Sequence, residues 1–176
     1  MPKRYWTVHW QNRYWNRHSN SEGEPIEAAG SNQFIRRGVS PGDSVYVVSL
    51  RAGKLLLGGR MTAKKIVSRD EAVGITGKSN LYPADEWVVD PEREGTRLNL
   101  HLGLDAELAK RIRFITKSGV IAYTFVTETQ LDNQTTRGVR ELTPESAALL
   151  DRIIHRSNLS LIRDGEIVVT AKDLRQ

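Results

Sequence analysis

The chain has 176 residues, a formal net charge of +5 and no cysteine. Its length is typical of one domain and long enough for a sizeable hydrophobic core. The lack of cysteine excludes disulfides, thiolate metal ligands and cysteine nucleophiles, and it fits a reducing cytoplasm, where we expect the protein to be located. No segment approaches the roughly 20 apolar residues of a membrane helix, and residues 1–6 are unlike a signal peptide, so we expect no membrane partner.

Positive charge is concentrated in the first part of the chain. Residues 1–65 contain 11 Lys/Arg and 4 Asp/Glu, a balance of +7, whereas residues 66–176 contain 15 and 17, a balance of −2. Such asymmetry indicates contact with a polyanion. A soluble protein with a merely basic surface has the same pattern, so charge alone leaves both interpretations open.

The first 66 residues contain mainly strand patterns. Hydrophobic alternation, capping residues and turn residues predict, in chain order, a strand over 5–10, a long polar loop over 11–30, a helix over 32–37 capped by Ser31 and closed by Gly38, a turn over 40–43, a strand over 44–50, a hairpin turn over 51–53 and a returning strand over 54–66. The pair Gly58-Gly59 within the returning strand predicts a bulge or a close backbone approach.

Strands and helices alternate in the rest of the chain. The predicted elements are a strand over 87–89, a charged turn over 90–95, a helix over 105–111, a strand over 120–127, a helix from Thr143 to about Arg156, and a strand over 167–169 after a turn at Asp164-Gly165. The long helix places Ala147, Leu150, Ile153 and Ile154 on one inward face. We expect a single α+β domain over residues 1–176, with a C-terminal strand extension over 157–176.

Motifs for catalysis or metal binding are weak. Residues 38–42 match the G-x-S-x-G pattern of a nucleophile elbow, but here the predicted helix precedes Ser40 and the strand follows it, which is the reverse of an elbow. The four histidines have no metal-ligand spacing, and no phosphate-binding glycine motif occurs between a strand and a helix. We therefore expect no catalytic residue, no metal and no cofactor.

Aromatic residues alternate with cations and amides near the start of the chain. Five aromatic residues, Tyr5, Trp6, Trp10, Tyr14 and Trp15, lie among Arg4, Asn12, Arg13, Asn16 and Arg17. Aromatic faces stack on bases and arginines neutralise phosphates, so this mixture is typical of nucleic-acid binding. We expect Trp6 in the core and Trp15 in a pocket wall, whereas Trp10 suits either position.

Polar residues follow at the predicted helix start. Ser31 and Asn32 can present a hydroxyl, an amide and backbone N–H groups to a ligand, although simple helix capping explains them equally well. Arg36 and Arg37 lie one turn later and Arg137 and Arg140 precede the last helix. Together with Arg13 and Arg17, they are candidate contacts to a nucleic-acid backbone, or ordinary solvated surface residues.

Residues 31–66 resemble the central segment of EVE domains in the PUA-like superfamily, which also includes YTH and ASCH domains. That segment has a short helix that ends before a Gly-Asp turn, a strand ending in Ser and a strand carrying Gly, here Gly42-Asp43, Ser49 and Gly58-Gly59. The opening Tyr5-Trp6 is similar to the start of many EVE domains. Later segments, Trp87-Val88-Val89-Asp90, Arg113-Phe114 and Leu142-Thr143-Pro144-Glu145, extend the resemblance over about residues 5–155.

The resemblance implies a PUA-like mixed β-barrel of about five to seven strands flanked by two or three short helices. It also implies a pocket that holds a flipped, modified base, with Trp10 or Trp15 as a wall, Ser31 and Asn32 contacting the base, and Ser49 at the floor. The expected function is recognition of a modified base in nucleic acid, in DNA in preference to RNA, as a standalone reader or within a restriction or defence system. A partner nuclease is compatible with this function.

Two other functions stay open at this stage. An ASCH-like hydrolase acting on modified nucleosides would need a lysine and an acid in the pocket, for which Lys54, Lys64 and Lys65 are the available lysines. A protein-interaction domain with an incidental basic face is the third alternative.

Overall fold

Two β-sheets form the centre of the protein in the computed structural model, which describes residues 2–158 and 167–175. The strands are β1 Tyr5–His9, β2 Ala28–Ser31, β3 Ser44–Arg51, β4 Lys54–Thr62, β5 Lys65–Ser68, β6 Glu86–Val89, β7 Leu102–Leu104, β8 Arg113–Thr116, β9 Gly119–Ala122, β10 Val139–Leu142 and β11 Ile167–Val169. The helices are α1 Asn12–Arg17, α2 Phe34–Arg37, α3 Arg69–Thr76, α4 Ala106–Ala109 and α5 Pro144–Asn158, with short 3₁₀ turns at His18–Ser21 and Asp173–Arg175.

The large sheet is mixed and has the strand order β11-β7-β4-β3-β1-β10-β8-β9. Strand β1 pairs in parallel with β3 and antiparallel with β10, whereas the small sheet, β2-β6-β5, is antiparallel throughout. Within the described residues no ladder joins the outer strands β11 and β9, so the large sheet is open there. The predicted α+β class is confirmed.

The central strands β3 and β4 of the large sheet are buried on both faces because they carry hydrophobic residues at successive positions. Tyr46 and Val48 of β3 belong to a core that includes buried residues of α4 and α5. Val45 and Val47, on the other face, pack in a second core with residues of α1 and the small sheet. A third cluster lies between the small sheet and α3. The layers therefore run helices, large sheet, small sheet, helix.

Several predicted elements are confirmed. Strands β1, β3, β6 and β11 occur within one or two residues of their predicted bounds, and α5 buries all four residues assigned to its inner face. Thr143 caps α5, since its Oγ1 accepts a hydrogen bond from the Ser146 N–H at 3.2 Å. Gly38 ends α2 with a φ of 93°, as its position predicted. The predicted turn at Asp164-Gly165 lies outside the described residues.

Other predicted elements are wrong. Residues 11–30 were expected to form a loop, yet they contain α1 and β2, which are too short to show hydrophobic periodicity. The expected strand over 54–66 is divided between β4 and β5, which belong to different sheets. The expected strand over 120–127 ends at Ala122, and the helix expected over 105–111 covers only Ala106–Ala109. The described residues form eleven strands and five α-helices, more than expected, because many are only three or four residues long.

Ser31 does not cap α2, contrary to the prediction. The helix begins at Phe34 with Gln33 as its N-cap residue, and the Ser31 hydroxyl oxygen accepts a hydrogen bond from the Gln33 N–H at 3.1 Å. Ser31 thus stabilises the turn that leads from β2 into α2.

The Gly58-Gly59 pair forms the predicted bulge. Val47 pairs with Gly59 but the next residue, Val48, pairs with Leu57, so Gly58 is the extra residue of β4. A Cβ at Gly58 would lie 3.0 Å from Trp15 Cη2. Gly59 has a φ of 136°, and its Cβ would lie 2.5 Å from Thr96 Oγ1. Because neither glycine has a Cβ, Trp15 and Thr96 can pack closely against the backbone of β4.

No helix in the described parts of the chain is long and apolar enough to cross a membrane.

We expect Gly59→Val to reduce the free energy of unfolding by at least about 2 kcal/mol, because it combines an unfavourable positive φ with a steric clash. Urea denaturation of the purified variant measures this loss. Gly74→Ala in α3 is the matched control, because a Cβ there meets nothing within 4 Å, and it should be neutral or stabilise by up to about 1 kcal/mol. An unchanged unfolding midpoint in Gly59→Val would contradict the close-approach interpretation.

Candidate functional site

A cleft of about 280 Å³ opens between α1, the segment that follows β2 and the segment that precedes β6. Its lining combines aromatic, amide and cationic side chains: His9, Trp10, Gln11, Arg13, Tyr14, Gly30, Ser31, Asn32, Gln33, Tyr82, Pro83 and Ala84. The volume is close to the lower limit of about 300 Å³ for small-molecule pockets, so the cleft suits one planar group better than an extended ligand. We call this feature the aromatic cleft.

Trp10 belongs to the lining of the aromatic cleft, although it is only 3% exposed, and it is held by strand β3. The backbone N–H of Trp10 donates to the Val48 carbonyl at 2.9 Å, and the Trp10 carbonyl accepts from the buried Ser49 hydroxyl at 2.7 Å. The Trp10 ring stacks on His18 with centroids 4.2 Å apart and an interplanar angle of 21°. The backbone hydrogen bonds and the stacking on His18 together fix the position of Trp10. Among the described residues, the buried Trp10 Nε1 has no hydrogen-bond partner.

Tyr14 and Tyr82 also line the aromatic cleft, with ring centroids 4.8 Å apart. The Tyr82 hydroxyl accepts from the Gly30 N–H at 2.8 Å and donates to the Gly30 carbonyl, which ties the segment before β6 to β2. Burial raises the pKa of Tyr82 above its ordinary value. The guanidinium groups of Arg13 and Arg17 lie 4.6 and 5.4 Å from the Tyr14 ring centroid, within cation–π distance.

Three consecutive polar residues form the rim between β2 and α2. Ser31 Oγ accepts from the Gln33 N–H at 3.1 Å, and Asn32 Oδ1 accepts from the Asp85 N–H at 2.7 Å. Gln33 Oε1 accepts from the Val139 N–H at 3.2 Å. Backbone amides from three different segments therefore orient these side chains. One of the backbone N–H groups of α2, that of Ile35, is occupied by Glu86 Oε1 at 2.7 Å.

His9 is the titratable imidazole of the aromatic cleft. Its Nδ1 lies 3.0 Å from the hydroxyl of the buried Thr136. Burial, and secondarily the charge of Arg137, lowers the pKa of His9 to about 4. The ring is therefore neutral near pH 7 and contributes shape and hydrogen bonding but no charge.

A wide groove of about 1050 Å³ lies next to the cleft, bounded by α2 on one side and by strands β8 and β9 on the other. Six cationic residues line it, Arg4, Arg36, Arg37, Lys117, Arg137 and Arg140, against two acids, Asp132 and Glu141. We call this feature the cationic groove. Its apolar lining includes Ile115, which is 41% exposed.

Two of the groove cations have structural contacts. The Arg4 guanidinium forms hydrogen bonds of 2.8 and 2.6 Å to the Glu141 carboxylate. Arg140 lies 3.8 Å from the Phe114 ring centroid, and burial lowers its pKa below the ordinary value. By contrast, no ion pair involves the side chains of Arg36, Arg37, Lys117 or Arg137 within residues 2–158 and 167–175. These four charges are available to an anionic partner.

The aromatic cleft and the cationic groove share a boundary. Gln33 lines the cleft and contacts the backbone of Val139, which lines the groove. His9 also lines the cleft, and its backbone N–H donates to the Gly138 carbonyl at 3.2 Å. One extended ligand could therefore contact both features.

The structure brings together most of the residues that sequence analysis proposed. Trp10, Ser31, Asn32 and Arg13 line the aromatic cleft, and Arg36, Arg37, Arg137 and Arg140 line the cationic groove. Arg17 lies beside the cleft, over Tyr14, but is not part of its lining.

Two expected pocket residues lie outside the cleft. Trp15 is completely buried in the second core, its Nε1 donates to the Leu100 carbonyl at 3.0 Å, and its ring lies under Gly58, so it is not a pocket wall. Ser49 is also completely buried and is not the pocket floor, because its hydroxyl is used to hold the Trp10 carbonyl. Trp6 is buried as expected, with its Nε1 donating to Asp43 Oδ2 at 2.9 Å.

Sequence analysis missed several lining residues. Tyr82 is 50 positions away from Asn32, and only the pairing of β2 with β6 brings their segments together. Gln33 and Lys117 had no motif around them, and His9 was assigned only to a strand. An aromatic residue before Pro83 in a polar stretch is a weak signal for Tyr82, and it does not identify the partner segment.

The lysine–acid pair required by a hydrolase is not assembled in the cleft. No lysine, aspartate or glutamate belongs to the described cleft lining. Lys64 instead pairs with Glu92 and Glu94, at 3.0 and 3.1 Å. Within the described residues, no group of three or more His, Asp or Glu residues is arranged to hold a metal ion.

Comparison of the chain with protein-family models, with curated proteins and with solved structures finds no match in any of the three.

We expect Trp15→Ala to reduce the free energy of unfolding by about 3–5 kcal/mol, because it removes a fully buried ring and leaves a cavity under Gly58. Trp15→Phe should cost less, since it keeps an aromatic ring and loses mainly the hydrogen bond to Leu100. Chemical denaturation followed by tryptophan fluorescence and circular dichroism measures both losses. A Trp15→Ala variant as stable as the parent would place this ring outside the core.

Acidic pH should destabilise the protein through two partly buried histidines. Burial lowers the pKa of both His9 and His18 from 6.5 to about 4, so the unfolded chain binds protons before the folded protein does. Their contribution to stability is complete above about pH 6.5 and is lost as pH falls towards 4, at most about 1.4 kcal/mol per pH unit for each histidine. Denaturation curves from pH 7.5 to 4.5 should show a shallower loss for His9→Gln and His18→Gln than for the parent protein. Equal slopes would contradict this assignment, since the carboxylates are the same in all three proteins.

Proposed function

We propose that this protein is a non-catalytic nucleic-acid-binding module that recognises a modified base, in DNA in preference to RNA, on a PUA-like fold of the EVE type. In this proposal the aromatic cleft holds one flipped base and the cationic groove follows the backbone. The observation that carries the proposal is the shared boundary between an aromatic, amide-rimmed cleft and a groove with four cations that lack ion pairs within the described residues.

The aromatic cleft has the side chains that a single base requires. Bases stack on aromatic rings and on arginine guanidinium planes, and each stack contributes about 1–3 kcal/mol. Tyr82, which is more exposed than Trp10 and Tyr14, supplies an aromatic ring, and Arg13 supplies a guanidinium that is already placed against Tyr14. Asn and Gln amides form hydrogen bonds with base edges, and the Asn32 and Gln33 amides both line the cleft. The small volume of the cleft fits one base removed from its stack.

The cationic groove has the charge that a phosphate backbone requires. Phosphate contacts position a nucleic acid, and base contacts give its sequence or modification specificity. Among the described residues, no carboxylate forms an ion pair with Arg36, Arg37, Lys117 or Arg137, whereas Arg4 pairs with Glu141. The groove therefore suits the positioning function and the cleft suits the reading function.

The first experiment is a titration of the purified protein with matched oligonucleotides at two salt concentrations. The set includes modified and unmodified bases, single and double strands, and DNA and RNA of the same sequence. Tighter binding of one modified oligonucleotide, retained at the higher salt, supports a base reader. Equal weak binding that disappears with salt indicates a basic surface alone and contradicts the proposal.

Variants of the two features should have separable effects. Arg36→Gln combined with Arg37→Gln should weaken binding of all oligonucleotides alike and reduce the dependence of log K on log salt by about one per lost phosphate contact. Asn32→Ala should instead reduce the preference for the modified base by about 1–3 kcal/mol and leave the salt dependence unchanged. Fluorescence anisotropy across a salt series measures both quantities.

The charge control is Arg111→Gln combined with Arg152→Gln. These two cations lie on or next to α4 and α5, which cover the other face of the large sheet, and the variant has the same net charge as the groove variant. If both double variants weaken binding equally, the groove is not the backbone site.

A further inference from the structure

The three rim residues of the aromatic cleft have their acceptor atoms occupied. Ser31 Oγ, Asn32 Oδ1 and Gln33 Oε1 each accept a hydrogen bond from a backbone N–H, at 3.1, 2.7 and 3.2 Å. These contacts also decide the orientation of the two amides, because only the oxygen of an amide side chain can accept from an N–H group. Because each oxygen is fixed in this way, the nitrogen of each amide must occupy the other end of the amide group.

The donor atoms of the same residues are unused. Within residues 2–158 and 167–175, no acceptor contacts Asn32 Nδ2, Gln33 Nε2 or the Ser31 hydroxyl hydrogen. Two backbone acceptors of the cleft lining are also occupied. The Gly30 carbonyl accepts from the Tyr82 hydroxyl, and the Ala84 carbonyl accepts from Trp87 Nε1 at 2.9 Å. The three rim side chains therefore offer a bound ligand free hydrogen-bond donors.

The charges around the cleft also favour a ligand with hydrogen-bond acceptors. Arg13 is a lining residue, and the charge of Arg137 is close enough to affect His9. The described lining contains no carboxylate. Two acids lie beside the rim: Asp85 contacts Asn32 through its backbone N–H and is exposed, and Glu86, which pairs with Ser31 across the small sheet, uses its carboxylate to accept from the Ile35 N–H. A ligand group that carries oxygen acceptors or negative charge is thus favoured over one that carries N–H groups.

We propose that the aromatic cleft selects an oxidised pyrimidine, one whose modification is a formyl or carboxyl group, over a base methylated on an exocyclic amine. This inference rests on the proposed function as a base reader. A carboxylate offers two acceptors to the free amide N–H groups, and hydrogen bonds to an ionised acceptor are about twice as strong as neutral ones. A methylated amine offers an N–H and a methyl group, neither of which pairs with the rim donors.

The test uses oligonucleotides of one sequence that differ only at a central base, carrying cytosine, 5-methylcytosine, 5-formylcytosine or 5-carboxylcytosine, and a second pair carrying adenine or N6-methyladenine. Binding is measured by fluorescence anisotropy at two salt concentrations. We expect 5-carboxylcytosine to bind at least about 10-fold tighter than 5-methylcytosine, with 5-formylcytosine between them. N6-methylation of adenine should give no gain.

The Asn32→Asp variant tests the contribution of the Asn32 Nδ2 donor to binding. The variant keeps an oxygen that accepts from the Asp85 N–H and replaces the Nδ2 donor by an anionic oxygen. We expect it to lose at least about 10-fold in affinity for 5-carboxylcytosine and to change little for 5-methylcytosine. Asn99→Asp is the matched control, because Asn99 Oδ1 also accepts from a backbone N–H, that of His101 at 2.9 Å, and Asn99 is not part of the cleft lining. If Asn32→Asp does not fold, Gln33→Glu makes the same exchange and retains an acceptor for the Val139 N–H.

The outcomes separate this inference from the proposed function. If an N-methylated base binds tightest, or if Asn32→Asp leaves the carboxylcytosine preference intact, the protein reads a base but the donor-rim inference is wrong. If every oligonucleotide, modified or not, binds equally and loses affinity with salt, the base-reading function itself fails.

Discussion

The parallel pairing of β1 with β3 is the constraint on which the candidate site depends. The pairing extends one residue past β1, where Trp10 hydrogen-bonds to Val48 and the Ser49 hydroxyl holds the Trp10 carbonyl. The chain must then turn away from the sheet, and α1 begins two residues later. This turn places Tyr14 in the cleft and Trp15 in the core. A shift of β1 by one residue would exchange the faces of its side chains and remove both positions.

The glycine bulge of β4 is the second feature that positions the candidate site. The Trp15 ring needs space above the large sheet, and Gly58 provides it because it has no Cβ. With Trp15 seated there, α1 lies close enough to the sheet for its Tyr14 to contact Tyr82. The aromatic cleft is therefore a consequence of core packing, because Trp15 and Gly58, which position it, lie outside its lining.

Sequence patterns predicted the parts of the fold that local chemistry determines. The turns at Gly42 and Gly53, the cap of α5 and the bulge in β4 all depend on residues adjacent in the chain. Trp15 was misplaced because its polar neighbours suggested exposure, whereas α1 is too short to show a hydrophobic face although its Tyr14 and Trp15 are both buried. Two adjacent buried residues of a short helix leave no periodic signal.

The candidate site was predictable only in fragments, because it joins segments that are distant in sequence. Arg36 and Arg137 belong to one groove since α2 packs near β10, and Lys117 enters it through the β8–β9 hairpin. Charge counting divided these cations between a basic and a slightly acidic part of the chain, although they share one surface. Charge balance per segment therefore predicts a polyanion partner without predicting where it binds.

The division between occupied and free polar atoms separates structural from ligand-facing groups. Arg4 and Arg140 line the cationic groove, but each is held by protein partners, so removing either would disturb the fold as well as the surface. Arg36 and Arg37 have no ion-pair partner among the described residues, so their charge can meet a ligand without breaking a native contact. The same reasoning applies within single side chains at the cleft rim. Backbone amides hold the oxygens of Asn32 and Gln33, and this restraint orients the nitrogens that a ligand can use.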